Sequence, residues 1–338
     1  MKIGITGLPG SGKSTVFEAL TRNISEAGFK GEDRIATIQV PDKRVSMLND
    51  IYQRKKNIYA RIEYFLPGMM GQKMEHNIWN RVRDCDALLN VIRNFSGYTL
   101  QPPTPYSDIL DLDQELILAD LMAVENRLER LEKKRGNKID HEEVALLNEC
   151  RKNLENELPI RKFPDLSEAP PLKGFAFVSA KPMLILFNND DEDDHIPEGK
   201  DLISEQNYMV IRGKLEQELA QMSDEEAEDF LAEFNIGASA KDRVIKESYE
   251  YLGVISFFTV EGDEVRAWTV EKGIRAVDAA GVIHSDMERG FIRAEVVSFD
   301  NLMDAGTYHE ARKKGTVRLE GKTYPVQDGD IIKFRFNV

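Results

Sequence analysis

The sequence predicts an α/β protein, a doubly wound parallel sheet interrupted by an inserted helical hairpin and followed by a separate β-rich domain. Three observations predict it. A glycine-rich loop sits between a strand and a helix near the N-terminus. Apolar strand segments then alternate with helical stretches. From Val254 onward the texture changes to short strands punctuated by turn residues.

Ile3 and Ile5 mark the first strand, Gly7 to Gly12 the loop, and Val16, Phe17 and Leu20 a helix over Ser14 to Thr21. Strand signals follow at Ile35 to Val40, broken by Pro41, at Ala60 to Leu66, and at the buried-looking Ala87 to Ile92. After Pro105 the strand pattern stops. Ile117, Leu121, Val124, Leu128 and Leu131 recur at spacings of four and three, a heptad seam. Arg135 to Asp140 reads as a turn with a helix cap, and Val144, Leu147, Leu154 and Leu158 carry a second helix to Pro159. Residues 107–158 therefore read as an antiparallel coiled-coil hairpin, or alternatively as two ordinary surface helices packed on the sheet. The sheet resumes at Met183 to Phe187, followed by the acidic run Asp190 to Asp194, which reads as a solvated loop. Helices are predicted over Lys214 to Met222 and Asp224 to Phe234. Short strands close the chain at Ser256 to Val260, Val265 to Thr269, Ile292 to Val297, Thr316 to Leu319 and Ile331 to Phe336.

The 338 residues suffice for two to three domains at roughly 100–200 residues each. The expected boundaries are 1–106 plus 159–250 for the α/β domain, 107–158 for the hairpin and 251–338 for the last domain. Hydrophobic residues make up 41% and charged residues 31%, the balance of a chain with a real core. Lys+Arg 45 against Asp+Glu 59 gives −14, which argues against a general basic coat for nucleic acid. DNA is not expected as a partner, and RNA would need a local patch. Cys85 and Cys150 make no disulfide framework. With no run near eighteen apolar residues and no signal peptide, the expectation is a cytoplasmic protein with no membrane contact.

The loop reads Gly7-Leu-Pro9-Gly10-Ser11-Gly12-Lys13-Ser14-Thr15, a G-x4-G-K-S pattern in the strand-to-helix context such a motif requires. Its glycines let backbone N–H groups surround phosphate oxygens, and the helix N-terminus adds partial positive charge. Lys13 would reach the β- and γ-phosphates and Ser14 would ligate Mg²⁺. The implied cofactors are ATP or GTP with Mg²⁺.

Hydrolysis needs more: an acid after the next parallel strand, a γ-phosphate sensor and a group to place water. The expected D-x-x-G falls on Glu63-Tyr64-Phe65-Leu66-Pro67-Gly68, where anchoring on Gly68 puts Phe65 at the acid position and anchoring on Glu63 puts Leu66 there. Neither is a carboxylate. Glu63 could turn into the site from one pleat earlier, although a solvent-facing position is the better reading. For the base, Asn188-Asn189-Asp190-Asp191 stands where a GTPase carries Asn-Lys-x-Asp. Asp191 could accept from guanine N1–H, and Asn189 in place of Lys weakens that guanine reading.

The whole chain resembles the YchF subfamily of Obg-like P-loop ATPases. The match is densest in Tyr251-Leu-Gly-Val-Ile-Ser-Phe-Phe-Thr259, Glu264-Val-Arg-Ala-Trp-Thr269, Ala279-Ala-Gly-Val-Ile-His284, Glu288-Arg-Gly-Phe-Ile-Arg-Ala-Glu295 and Phe334-Arg-Phe-Asn-Val338, and returns in Glu115-Leu-Ile-Leu-Ala-Asp-Leu121 and Lys181-Pro182. The resemblance implies a G-type P-loop domain, a coiled helical insertion and a C-terminal TGS domain of β-grasp type. It also implies a cytoplasmic, nucleotide-dependent regulator that associates with ribosomes and can prefer ATP. The family's N-x-x-E is here Asn188-x-x-Asp191, so Asn188 carries over as the base contact and Asp191 keeps the acid with a shorter reach.

The departures cluster where the chemistry should be. The family's switch segment is shortened between Thr21 and Ile35, the D-x-x-G acid is missing, Leu100 stands at the family's candidate catalytic His, and Arg212-Gly213 replaces its Ser-Ala. Met69 agrees with the family's hydrophobic residue in place of a water-placing Gln. Each lost preorganised charge costs about 10²–10³ in rate. The expectation is nucleotide binding with little or no turnover. The alternatives are a slow ATPase or GTPase assisted by a partner, a small-molecule kinase, and an interaction module without nucleotide. RNA contact would come from the helical arm and the last domain. Residues 251–338 carry 12 basic and 14 acidic residues, and Arg289, Arg293, Arg312, Lys313, Lys314, Lys333 and Arg335 with Phe291 and Tyr308 form either a basic stacking face or ordinary surface charge. Arg54-Lys55-Lys56 is a second patch or a solvated turn, and His284 reads as structural.

Overall fold

β1 (Lys2–Thr6) leads through the glycine loop into α1 (Lys13–Thr21), followed by β2 (Arg34–Gln39), α2 (Lys43–Tyr52), β3 (Lys56–Ile58), β4 (Arg61–Leu66), α3 (Glu75–Arg81) and β5 (Ala87–Asn94). Next come α4 (Pro105–Lys133), α5 (His141–Glu155), α6 (Pro164–Ser167) among 3-10 turns, β6 (Met183–Asn189), β7 (Asn207–Ile211), α7 (Gly213–Leu219), α8 (Asp224–Glu233) and α9 (Ala240–Tyr251). The chain closes with β8 (Val254–Glu261), β9 (Glu264–Glu271), α10 (Ala276–Ile283), α11 (Ser285–Arg289), β10 (Phe291–Ser298), α12 (Phe299–Ala305), α13 (Tyr308–Lys313), β11 (Arg318–Glu320) and β12 (Asp330–Phe336). The structure, a computed structural model, describes residues 1–22, 31–68, 75–97, 101–133, 140–199, 207–233 and 240–337. Residues 23–30 of the shortened switch segment, Met69, Leu100 and most of the turn before Asp140 lie outside these.

The chain divides into two compact units, 1–37 with 63–244 and 38–62 with 245–338. Residues 38–62, expected within 1–106, therefore group with the C-terminal stretch, and the hairpin groups with the α/β unit. The cause of the first difference is β3, which pairs in parallel with β9 from Lys56↔Glu264 to Ile58↔Arg266.

In the first sheet the order is β2-β4-β1-β5-β6-β7. β1 runs parallel to β4 and β5, and β5, β6 and β7 continue in parallel. β6 is buried along its whole length, the pattern of a strand covered on both faces. One core cluster joins Phe65, Leu88, Ile92, Met183, Ile185 and Phe187 of the sheet to Ile109, Leu112 and Leu116 of α4. The second half of α4 buries Ile117, Val124, Leu128 and Leu131 against Leu147, Cys150 and Leu154 of α5 and Leu166, Leu172 and Phe177 beyond it. α4 thus packs on the sheet along its first half and on α5 along its second.

The cap of α5 is Asp140, whose side chain accepts from the amides of Glu142 and Glu143. The far end differs from expectation. α5 stops at Glu155, Glu157 takes a left-handed φ of 57°, and the amides of Glu157 and Leu158 return to Leu154 O and Asn153 O. This closing turn leaves Leu158 36% exposed, outside the seam.

In the second unit the sheet order is β11-β10-β12-β8-β9-β3. β10 is antiparallel to β11 and β12, β12 is parallel to β8, and β8 and β9 form a hairpin. Its core packs Phe257, Val270, Ala294, Val296, Ile332 and Phe334 under α10. Among the described residues no helix is long and apolar enough to cross a membrane.

Candidate functional site

The loop between β1 and α1 is folded by its glycines. Gly7, Gly10 and Gly12 take φ of 145°, 81° and 90°, a region closed to most side chains. Contact adds to this. A Cβ at Gly7 would stand 2.3 Å from Val91 O, and one at Gly12 would stand 2.2 Å from Asn188 Nδ2 and 3.7 Å from Phe95 Cε1.

Gly12 is also the N-cap of α1. No side chain caps that end and no acid lies in its first turn, so the amides and partial charge of the helix start are left for an anion. Lys13 Nζ donates to Gly7 O at 2.8 Å and Leu8 O at 2.7 Å, which uses two of its three hydrogens and aims the ammonium at the loop. Burial pushes Lys13 down to about 8, and the Glu115 carboxylate acts against that shift. Ser14 is exposed on the first turn, Thr15 half-buried, and Pro9 and Gly10 form the outer rim. The Ser11 hydroxyl is buried without a hydrogen-bond partner among the described residues.

Beside the loop lies a small cavity lined by Thr6, Gly7, Lys13, Pro67, Trp79 and Glu115, with Ile5, Leu8, Pro9 and Ile78. Trp79 Nε1–H donates to Glu115 Oε2 at 3.2 Å. Glu115 and Trp79 escape sequence analysis because each reads as an ordinary helical residue. Phe95 carries no motif either.

At the end of β4, Phe65 and Leu66 are buried in the core. The β1–β4 pairing ends at Gly4↔Phe65, and no carboxylate stands from Phe65 to Gly68. Glu63 lies at the opposite end of β1, with its amide on Met1 O and its carboxylate 3.9 Å from Lys2 Nζ. It does not turn into the site. Among the described residues no group of three or more His, Cys, Asp and Glu is placed to hold a metal ion. Ser14, exposed on the first turn of α1, stands where a single protein donor would suit a metal that arrives with phosphate oxygens and keeps its waters.

Asn188, 4% exposed, lies directly over the loop. Its Nδ2 donates to Ser11 O at 3.1 Å and its Oδ1 accepts from Gly213 N–H at 3.0 Å. A Cβ on Gly213 would meet that oxygen at 2.5 Å, so the glycine at the Arg212-Gly213 position is what lets Asn188 close. Asp191 is exposed, and its Oδ1 accepts from Leu215 N–H at 3.1 Å at the start of α7. Among the described residues, no hydrogen bond uses the second hydrogen of Asn188 Nδ2 or the second oxygen of Asp191.

The stacking face expected in the last domain is corrected on one point. Phe291 is 5% exposed in the core and cannot stack. Tyr308 donates to Glu295 Oε2 at 2.6 Å, and Arg312 and Arg335 both turn onto Glu295 Oε1. Arg289 pairs with Asp286 and Lys313 with Glu310. Lys55 pairs with Asp263, and Lys56 opens β3 rather than a turn. His284 Nδ1 accepts from Asp286 N–H and caps α11.

Residues 254–337 match a family model described as YchF-GTPase_C, "Protein of unknown function (DUF933)". Over its full length the chain is similar to proteins named Ribosome-binding ATPase YchF. That of Bacillus subtilis is 36% identical over 361 residues, covering 99% of each chain, and that of Haemophilus ducreyi is 35% identical over 360 residues, covering 100% of this chain and 99% of the other. Set against 338 residues, the 361 of the Bacillus alignment leave at least 23 without a counterpart here. The solved structure of the Schizosaccharomyces pombe YchF GTPase superposes with a TM-score of 0.84 at 29% identity, over 99% of this chain and 97% of that one.

Proposed function

The chain belongs to the YchF family of Obg-like P-loop proteins, and on that premise we propose that it binds a purine nucleoside triphosphate, ATP over GTP, hydrolyses it weakly or not at all, and regulates translation on the ribosome. The observation that carries this reading is a complete phosphate cradle beside a strand that ends without an acid. Gly7, Pro9, Gly10, Ser11, Gly12, Lys13, Ser14 and Thr15 would surround the phosphates, with backbone N–H groups and the third hydrogen of Lys13 as donors. Ser14 would hold Mg²⁺, which supplies positive charge between the β- and γ-oxygens when bound. Asn188 and Asp191 would face the base, with the Phe95 ring flanking it. The ribosome-binding names of the relatives support a ribosomal partner, reached through the helical arm and a TGS-like β-grasp domain.

A second reading, an active hydrolase assisted by a partner, has one observation in its favour. Glu115 brings a carboxylate into the cavity beside Lys13 from α4 instead of β4.

Calorimetric titration of ATP and GTP with Mg²⁺ into the full chain and Lys13→Ala, followed by phosphate release with and without ribosomes, tests both. Binding that needs Lys13, with turnover near background, is the expected result. Ribosome-stimulated turnover abolished by Lys13→Ala would favour the second reading, and no binding of either nucleotide would sink both.

A further inference from the structure

Asp33, Gly68 and Arg81 close a triangle just beyond the end of β4. The Gly68 N–H donates to Asp33 Oδ1 at 2.9 Å, Arg81 Nη1 donates to Gly68 O at 2.7 Å, and Arg81 Nη2 pairs with the same Asp33 oxygen. Gly68 has no space for a side chain: a Cβ would lie 2.4 Å from Gly31 O, so the chain entering β2 is laid directly on it. Its neighbour Pro67 shares a cavity wall with Gly7 and Lys13.

We propose that the Gly68 amide and the Arg81 guanidinium form the seat for the terminal phosphate of a nucleoside triphosphate, and that Asp33 fills this seat as an internal stand-in which the phosphate displaces. A backbone N–H and a guanidinium converging on one oxygen are donors suited equally to a carboxylate and a phosphoryl group. Two anions cannot share them, so occupancy is exclusive. Arg81 keeps its hold on Gly68 O through Nη1, so on exchange Nη2 passes to the incoming oxygen without leaving its place. A diphosphate, lacking the terminal group, leaves Asp33 seated. Asp33 and Arg81 are then the residues that tell triphosphate from diphosphate, an inference resting on the nucleotide-binding reading.

The test is calorimetric titration of ADP and of a non-hydrolysable ATP analogue, with Mg²⁺, into the full chain and its Asp33→Ala, Asp33→Asn, Arg81→Ala and Lys13→Ala variants. Asp33→Ala is expected to tighten the analogue about tenfold and leave ADP within about twofold. Asp33→Asn, which keeps the side-chain shape, should move the same way. Arg81→Ala should weaken the analogue about tenfold with ADP again within about twofold. Equal shifts for both nucleotides, or an analogue that binds Asp33→Ala and Asp33→Asn no tighter, would overturn the proposal. If Lys13 still governs ADP binding in that case, the nucleotide reading survives it. No binding of either nucleotide to the unsubstituted chain overturns both.

Discussion

Asn188 and Gly213 are joined by a hydrogen bond of 3.0 Å that ties the end of β6 to the start of α7, and the same side chain reaches down to Ser11 O. Asn188 is therefore a stitch through the phosphate loop before it is a base contact. Asn188→Ala would leave a buried amide and a buried carbonyl unpaired, at a cost of about 2 kcal/mol. Affinity for ATP and GTP should fall together. Thermal melts with parallel titrations check this, and a loss confined to one base would mean that base recognition dominates.

Gly12→Ala should separate the cradle from the fold. The new methyl collides with Asn188 Nδ2 at 2.2 Å and its φ of 90° is strained for alanine by about 1–2 kcal/mol. The expected outcome is a folded chain by circular dichroism with at least about tenfold weaker binding of ADP and ATP.

Asp120 is fully buried on α4. It accepts from Arg83 Nη1 at 2.9 Å and from the amides of Val178 at 3.1 Å and Ser179 at 2.7 Å. Removing one partner of such a buried pair strands the others, so Asp120→Ala should cost about 3–5 kcal/mol in urea unfolding. A cost under about 1 kcal/mol would mean water replaces the carboxylate.

Glu295 carries a pH dependence. The Tyr308 hydrogen bond, followed by Arg335 and Arg312, holds its carboxyl below the usual carboxylate range. A group depressed in the folded state stabilises above its unfolded pKa and loses that contribution as pH falls through the folded value. Glu295→Gln should therefore lower the melting temperature at pH 7, by about 2 kcal/mol of stability, with the gap to the parent chain closing below about pH 4. Parallel melts from pH 7 to pH 3 decide it, and a constant gap would refute the linkage.

How much of this was legible in the sequence varies by residue. The strand–loop–helix at the N-terminus was, because only glycine fits the φ values of Gly7, Gly10 and Gly12. β3 was not. Its three residues carry no alternation, and its partner β9 lies some two hundred residues later. Phe291 was misjudged for a local reason. Alternation from Ala294 and Val296 points Ile292 inward and Phe291 outward, but a bulge between Phe291 and Arg293 reverses the order, leaving Ile292 55% exposed. Glu115 and Asp33 belong to no motif, and only the fold brings them beside Lys13 and Gly68.

The pairing of β3 with β9 also sets a timetable. During synthesis, α2 and β3 leave the ribosome long before the strand that completes them, so Val45 and Leu48, fully buried in the finished protein, must wait uncovered. The stretch from α2 to β3, residues 43–58, thus completes its sheet pairing only after residues 264–266 have emerged. A chain cut after Leu252 would leave β3 without its partner permanently, making residues 43–58 an expected site of proteolysis in any truncated product.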